Sequence, residues 1–353
     1  MKKTLLVSLL ALICHLIIHA QAVYVDSKIG DDKNSGTKEA PLFSINKAAE
    51  IITSRANTIY VIKINPGIYV LDKHVSVATE KSLTNKRIII EATILPDDTA
   101  WTTDKMPVII TKSQEGEIME KNLWIKDNWI TSFYINESHV TIRGLKFQGY
   151  NYPVHKYYPI SRFNKEKKDL LVEQCMFLGD LQTSVIQVGV IAHGDEIKVN
   201  HCVFYNTNFA VIYWEDSGNG IKTGNVMTNC IVYGAAGCAI WTSMPDKDFI
   251  FKNNIVANCN FFWIKEDTDT TTYTIDSCVI VNNQHYKGDG NLKPSNFDLN
   301  ETNVIKEGEI SLRTINSIFE TWPNDHLHVI PNKLGYNIGA GLFNKKGNNK
   351  VMH

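Results

Sequence analysis

Three acidic clusters follow three tryptophans at nearly regular spacing. Glu215 and Asp216 come directly after Trp214, Asp246 and Asp248 follow Trp241, and Glu266, Asp267 and Asp269 follow Trp263. Carboxyl groups beside aromatic rings suit hydrolysis of a glycosidic bond. That reaction needs one protonated carboxyl as general acid and one ionised carboxyl as base or nucleophile. Their separation is about 5 Å for retention and roughly 6.5 to 9.5 Å for inversion. Glu215, Asp216, Asp246 and Glu266 are the candidates, and nothing in the sequence divides acid from base. Trp214, Trp241 and Trp263, with Tyr157 reached by extending the same register backward, are the candidate sugar-stacking residues. The bland account makes the acids turn residues on a solvated rim, and Asp248 and Asp269 fit it best. The tryptophans read equally as core or surface, because Tyr213, Ile240 and Phe262 before them are also apolar and strand neighbours face opposite sides.

Eliminative cleavage of a uronate polymer would use other groups. A Lys, Arg or His base abstracts the proton beside the carboxylate, while Ca2+ or a basic residue neutralises the acid. Arg162 and His193, in loops on the preceding coils, or a nearby Lys are the candidate bases. Asp216, Asp246 and Asp267 would then be Ca2+ ligands. No spacing matches a known lyase motif, and a lone His or Arg is commonly structural. Asp31, Asp32 and Asn34 also offer oxygens, although a polar turn around Gly30 and Gly36 accounts for them more simply. The hydrolase reading requires no cofactor. A third reading keeps only the tryptophans, as a non-catalytic glycan-binding surface. Walker, dinucleotide, CxxC and HExxH motifs are absent from the sequence.

The elements that must position these residues are announced by a repeat. Ile142–Phe147, Val172–Phe177, Val199–Phe204, Met227–Val232, Phe251–Val256 and Ile275–Ile280 share one pattern, a short β-branched or aromatic run with a polar pair inside. Their fourth positions are Leu145, Cys175, Cys202, Cys230, Asn254 and Cys278, separated by 30, 27, 28, 24 and 24 residues. A period in the twenties without helical periodicity predicts a β-solenoid. Coils stacked about 4.8 Å apart place like residues above one another, so the cysteines form a column. Free thiols are expected there, since a parallel ladder points the side chains the same way. Cys238 and Cys259 are expected in the core of the following strand. The Asn residues at strand ends, such as Asn206, Asn229, Asn253 and Asn258, are expected to hold turns.

A solenoid must cover its open ends. Ser44 can N-cap a helix over 44–54 whose stripe is Ile45, Ala48, Ala49, Ile51 and Ile52. Around it, Tyr24-Val-Asp26, Gly30 to Thr37, Ala40-Pro41, Ser44-Ile45, Thr58-Ile-Tyr-Val61 and Pro66-Gly67-Ile-Tyr69 resemble the N-terminal cap of exported right-handed parallel β-helix proteins of the pectate-lyase-like superfamily. Asp325-His-Leu-His and Gly335 to Ala340 resemble the terminal coil of such chains. Ala56-Asn57 departs from the Gly-Asp common before the Thr-Ile-Tyr-Val strand, a change a turn accepts. The resemblance implies an all-β fold, a single-stranded right-handed parallel β-helix with an N-terminal capping helix. It also implies carbohydrate as the partner class. The expected layout is a cap over 23–56 and coils over about 57–342 in one domain, with uneven coils over 72–130 and 285–332.

Composition agrees with this layout. The chain has 353 residues, 44% hydrophobic and 21% charged, which suffices for a core. Lys2-Lys3, an apolar run from Leu5 to Ile18 and Ala20-Gln21-Ala22 read as an export signal over 1–22, not a membrane span. Ile13 before Cys14 is bulkier than the residue usual at a lipoprotein site. Without Lys2 and Lys3, 34 basic residues face 37 acidic ones, a net charge of −3. That balance argues against nucleic acid as a partner and against a uronate substrate. A monomer is expected. Amino-terminal sequencing of the exported protein should begin at Val23.

Overall fold

A computed structural model describes residues 22–54, 60–79, 86–112, 129–149, 156–214, 220–243, 245–312, 329–330 and 332–343. Three parallel sheets of ten, eight and eight strands run along the described residues, and from Val61–Ile64 onward the chain visits them in rotation. One full coil is Lys168–Glu173, Met176–Leu178 and Val188–Ala192, after which Asp195–Asn200 pairs on the strand where the coil began. The result is the expected right-handed parallel β-helix.

From Gly144 onward the corner between the first and second sheets is two residues long. Its first residue has positive φ on every coil from Gly144 onward: Gly144, Gln174, His201, Asn229, Asn253, Ser277 and Asn303, with φ between 49° and 73°. Asn tolerates that left-handed conformation better than most residues, which explains its recurrence. Asn206, Asn258 and Asn282 do the same after the second sheet. The second corner residue turns inward. Leu145, Cys175, Cys202, Cys230, Asn254 and Cys278 are wholly buried, and the six described cysteines are free thiols. Asn254 replaces a thiol by satisfying two backbone groups: its Oδ1 accepts from the Cys230 N–H at 2.9 Å and its Nδ2 donates to the Met227 carbonyl at 2.8 Å.

Inside, like residues stack. Phe147, Phe177 and Phe204 lie ring on ring, at 5.0 Å and 4.5 Å between centroids. Outside the first sheet, one register position carries a polar ladder: Lys63, Glu91, Arg143, Glu173, Asn200, Thr228, Lys252 and Asp276. Glu91 bridges Lys63 and Arg143, and Asn200 links Glu173 to Thr228.

The helix spans Ile45–Ser54, with the Ser44 Oγ accepting from the Lys47 N–H at 3.1 Å as its cap. Its buried Ile45, Ala48, Ala49 and Ile52 lie on the strands Ala22–Val25 and Val75–Val77, the edges of two sheets, and close that end of the core. Ala22–Val25 pairs with Val61–Ile64 and extends the first sheet beneath the helix. At the other end, Asp325–His328 lie outside the described residues. Residues 334–343 lie along the outer face of the second sheet, covering Met176, Val203, Ile231 and Ile255. This strap is tied to three successive corners: Gln174 Nε2 donates to the Leu342 carbonyl at 2.8 Å, His201 Nδ1 lies 2.7 Å from the Gly341 oxygen, and the Gly341 N–H donates to the Asn229 carbonyl at 2.9 Å. That face is apolar, and the strap completes its burial.

Truncating Phe177 to Ala opens a cavity in the middle of the ring stack. The expected cost is about 3–5 kcal/mol, read as a lower denaturation midpoint at unchanged slope in guanidinium.

Candidate functional site

Connections from the third sheet to the first differ in length from coil to coil, and the expected chemistry lies on them. One coil makes the passage through His193 and Gly194, the next through residues 214–225, and the two after that through 243–249 and 266–272. Side chains here can differ without disturbing the core.

The register of the third sheet separates the three tryptophans. Ile160, Val190, Val211, Ile240 and Trp263 form one inward column. Ser161, Ile191, Ile212, Trp241 and Ile264 form the next, facing outward. Arg162, Ala192, Tyr213, Thr242 and Lys265 follow inward. Trp214 lies one residue further, outward again. The tryptophans therefore do not share a column, because the preceding strands and turns differ in length and each slip of one residue changes the face. Trp263 is wholly buried, its Nε1 donating to the Thr242 Oγ1 at 3.1 Å. Tyr157 is also interior, its hydroxyl 2.6 Å from the Ser132 Oγ. Neither is placed to stack on a ligand. Trp214 and Trp241 remain partly exposed on the outer face, edge to face with 5.7 Å between ring centroids.

Glu266 belongs to this outer face. Its backbone N–H continues the ladder by donating to the Thr242 carbonyl, and its Oε1 accepts from the Trp241 Nε1 at 3.2 Å. Partial burial raises its carboxyl pKa; the Trp241 bond opposes the rise, while the charges of Asp267 and Asp289 add to it. By strand spacing Glu266 stands two coils from Trp214, roughly 10 Å along the axis, with Trp241 between the two.

Asp246 occupies the inner side of the same corner. It borders a small, partly open pocket, about 10 Å³ of room for water-sized groups, that is also lined by Tyr213, Trp214, Lys222, Asn225 and Tyr273. Asp246 is 3% exposed, and its Oδ2 has no hydrogen-bond partner. Its Oδ1 accepts from the Asp248 N–H at 3.1 Å. Burial pushes its carboxyl up to about 6; bonds from the Asp248 N–H and the Asn225 side chain oppose this, and the Asp248 carboxylate adds to it. Trp214 is the shared element, lining the Asp246 pocket and touching Trp241, which holds Glu266.

Glu215 and Asp216 lie outside the described residues. The elimination candidates do not converge. Arg162 is wholly buried, its Nε donating to the His193 carbonyl at 2.9 Å and its Nη2 to the Asp195 carbonyl at 3.0 Å, so it braces the next turn. His193 is buried with its ring against Phe163. Asp267 is exposed, away from buried Asp246, and no three His, Cys, Asp or Glu side chains among the described residues converge as a metal site. Asp269 holds its turn by accepting from the Thr271 N–H and the Tyr273 hydroxyl. Asp32 does likewise in the cap, for Phe43 and Ser44.

Sequence reading missed Asn225 and the partnership of Asp248 with Asp246. The Asp-Lys-Asp proximity in the chain was the available signal for the second.

No protein-family model matches the chain, and no curated protein matches it. Among solved structures it is similar in fold to a rhamnogalacturonan lyase, with 16% identity, a TM-score of 0.46 and 76% of this chain covering 70% of that one. A GH136 lacto-N-biosidase from Eubacterium ramulus matches at 10% identity and a TM-score of 0.44, over 82% of this chain and 68% of the other. XylC in complex with xylose matches at 10% and 0.40, over 81% and 68%. These likenesses concern the fold alone.

Acrylamide quenching checks the tryptophan placement. Trp214→Phe and Trp241→Phe should each lower the quenching slope, whereas Trp263→Phe should leave it undiminished and lower the denaturation midpoint.

Proposed function

We propose that the chain is an exported, monomeric carbohydrate-active enzyme, a glycoside hydrolase that works without a cofactor. One observation carries the reading: two carboxyls of different environment flank a single outward tryptophan pair. Asp246 keeps its proton to near pH 6 and is the general acid. Glu266, held by Trp241 on the wetter outer face, is the ionised partner that activates water or attacks the sugar. Trp214 and Trp241 stack on the sugar, whose C–H faces suit an aromatic ring. The reading divides the roles that the sequence left undivided. The Arg162 guanidinium is bound to the His193 and Asp195 carbonyls, which weighs against it as a lyase base, as does the net negative charge against an anionic polymer.

The test is a panel of neutral and uronate polysaccharides with purified mature protein, reading reducing ends and the ultraviolet absorbance of unsaturated uronates, with and without EDTA. Reducing ends without that absorbance, unaffected by EDTA, are expected. Asp246→Asn and Glu266→Gln should each lower kcat about 10²–10⁴-fold, and Trp241→Phe should raise KM. Absorbance that EDTA abolishes would show a Ca2+-dependent lyase, and silence in both channels alongside measurable glycan affinity would leave a binding surface.

A further inference from the structure

The unpartnered Oδ2 of Asp246 is the one buried carboxylate oxygen left without a hydrogen bond among the described residues. An ionised carboxylate only accepts, and burying an unmatched acceptor is costly. The surroundings offer few donors. Asn225 and the Asp248 N–H engage the carboxyl, the Asp246 N–H itself is turned to the Thr271 Oγ1 at 3.1 Å, and the Tyr273 hydroxyl is committed to Asp269. Asp248 folds back on this carboxyl, its N–H on the Asp246 Oδ1 at 3.1 Å, and its own carboxylate acts on that of Asp246. Two carboxylates repel there, but a carboxylic acid donates to a carboxylate, and one proton then satisfies both groups.

Asp248 is suited to the ionised role. It is exposed, its Oδ1 accepts from the Gly224 N–H at 2.7 Å, and the Thr223 hydroxyl lies within 2.9 Å of both its oxygens. These bonds and Lys247 hold its carboxyl below the usual range, while burial holds that of Asp246 above it. Two acids two residues apart are thus driven in opposite directions by their environments, the arrangement that assigns acid and base roles.

We propose that Asp246 and Asp248 share one proton, and that Asp248 is the positioning residue that keeps Asp246 in its acid form. The inference deepens the hydrolase reading and rests on it for its catalytic meaning. As the glycosidic C–O bond breaks, its electron pair stays on the leaving oxygen, which takes the Asp246 proton. Glu266 accounts for the attacking water or the sugar bond, and solvent returns a proton to the Asp pair. Lys222 and Lys247, with Asp195 behind Thr223 and Asp269 behind Tyr273, are the other charged groups around this corner. Of these, Lys247 flanks Asp248, and its charge favours the ionised form there.

Infrared titration of the carboxyl band, which does not require activity, tests this on the whole mature protein. The expected result is one acid band that persists to a midpoint near pH 6 in the wild type and is lost in Asp246→Asn. In isosteric Asp248→Asn the midpoint should fall, because the neighbouring negative charge is gone. Stability gives a second reading. A proton held more tightly by the folded than the unfolded chain adds stability that is full below the ordinary aspartate range and lost as pH rises through about 6. The wild type should therefore lose thermal stability across that window, and Asp246→Asn should lose less. An Asp246 midpoint at the ordinary aspartate value, or one that Asp248→Asn leaves unmoved, would overturn the proposal. The pH–rate profile separates it from the hydrolase reading: activity that needs Asp246 with an unmoved Asp248→Asn limb sinks the shared proton alone. A shared proton in a protein without hydrolysis sinks the hydrolase alone.

Discussion

At the corner between the first and second sheets the chain reverses into the next strand through two residues. The first must take a left-handed conformation, and the second must point into the core. That double demand, met at the same place on every coil from Gly144 to Asn303, holds the three sheets in register. A longer or shorter corner would rotate the following strand by one residue and bring its polar side inward. Because the corner is the same from Gly144 onward, the inward columns line up, the phenylalanines stack and the polar residues outside the first sheet share one register position. The solenoid repeats one turn geometry and fills it with slightly different side chains.

The corner between the third and first sheets is free to differ. Between the third and first sheets the passage takes two residues on one coil and a dozen on the next, and the acids, Trp214 and the pocket all sit there. The inner side of that corner meets the end of the core, which is why Asp246 is buried beside Tyr213 and Tyr273. Its outer side continues a sheet face, which is why Glu266 stays wet beside Trp241. The side of the corner on which a carboxyl falls decides its environment, and hence its proton affinity.

The parts of the structure governed by the repeat were legible in the sequence. Leu145 to Cys278 announced the coils because the corner imposes composition as well as spacing, and Ser44 announced the helix because its cap is a local bond. The tryptophans misled because equal spacing in sequence is equal position only where loop lengths are equal, and at the variable corner they are not. Arg162 looked like chemistry because nothing in a sequence shows that a guanidinium is consumed by the carbonyls of the next turn. The strap was hidden for a different reason: it follows no period of its own, and its partners are the corner side chains of Gln174 and His201 and the Asn229 carbonyl, more than a hundred residues earlier.

That strap sets the order in which the molecule can be assembled. Coil-to-coil pairings join residues some two dozen to five dozen positions apart, so each turn can settle on its predecessor while the chain is still emerging. Gln174 and Leu342 are separated by 168 residues. Their contact waits for nearly the whole chain, and until it forms the outer face carrying Met176, Val203 and Ile231 stays bare. The nascent solenoid thus has a late window of stickiness on one side, during which a neighbouring chain or a holdase competes with its own tail.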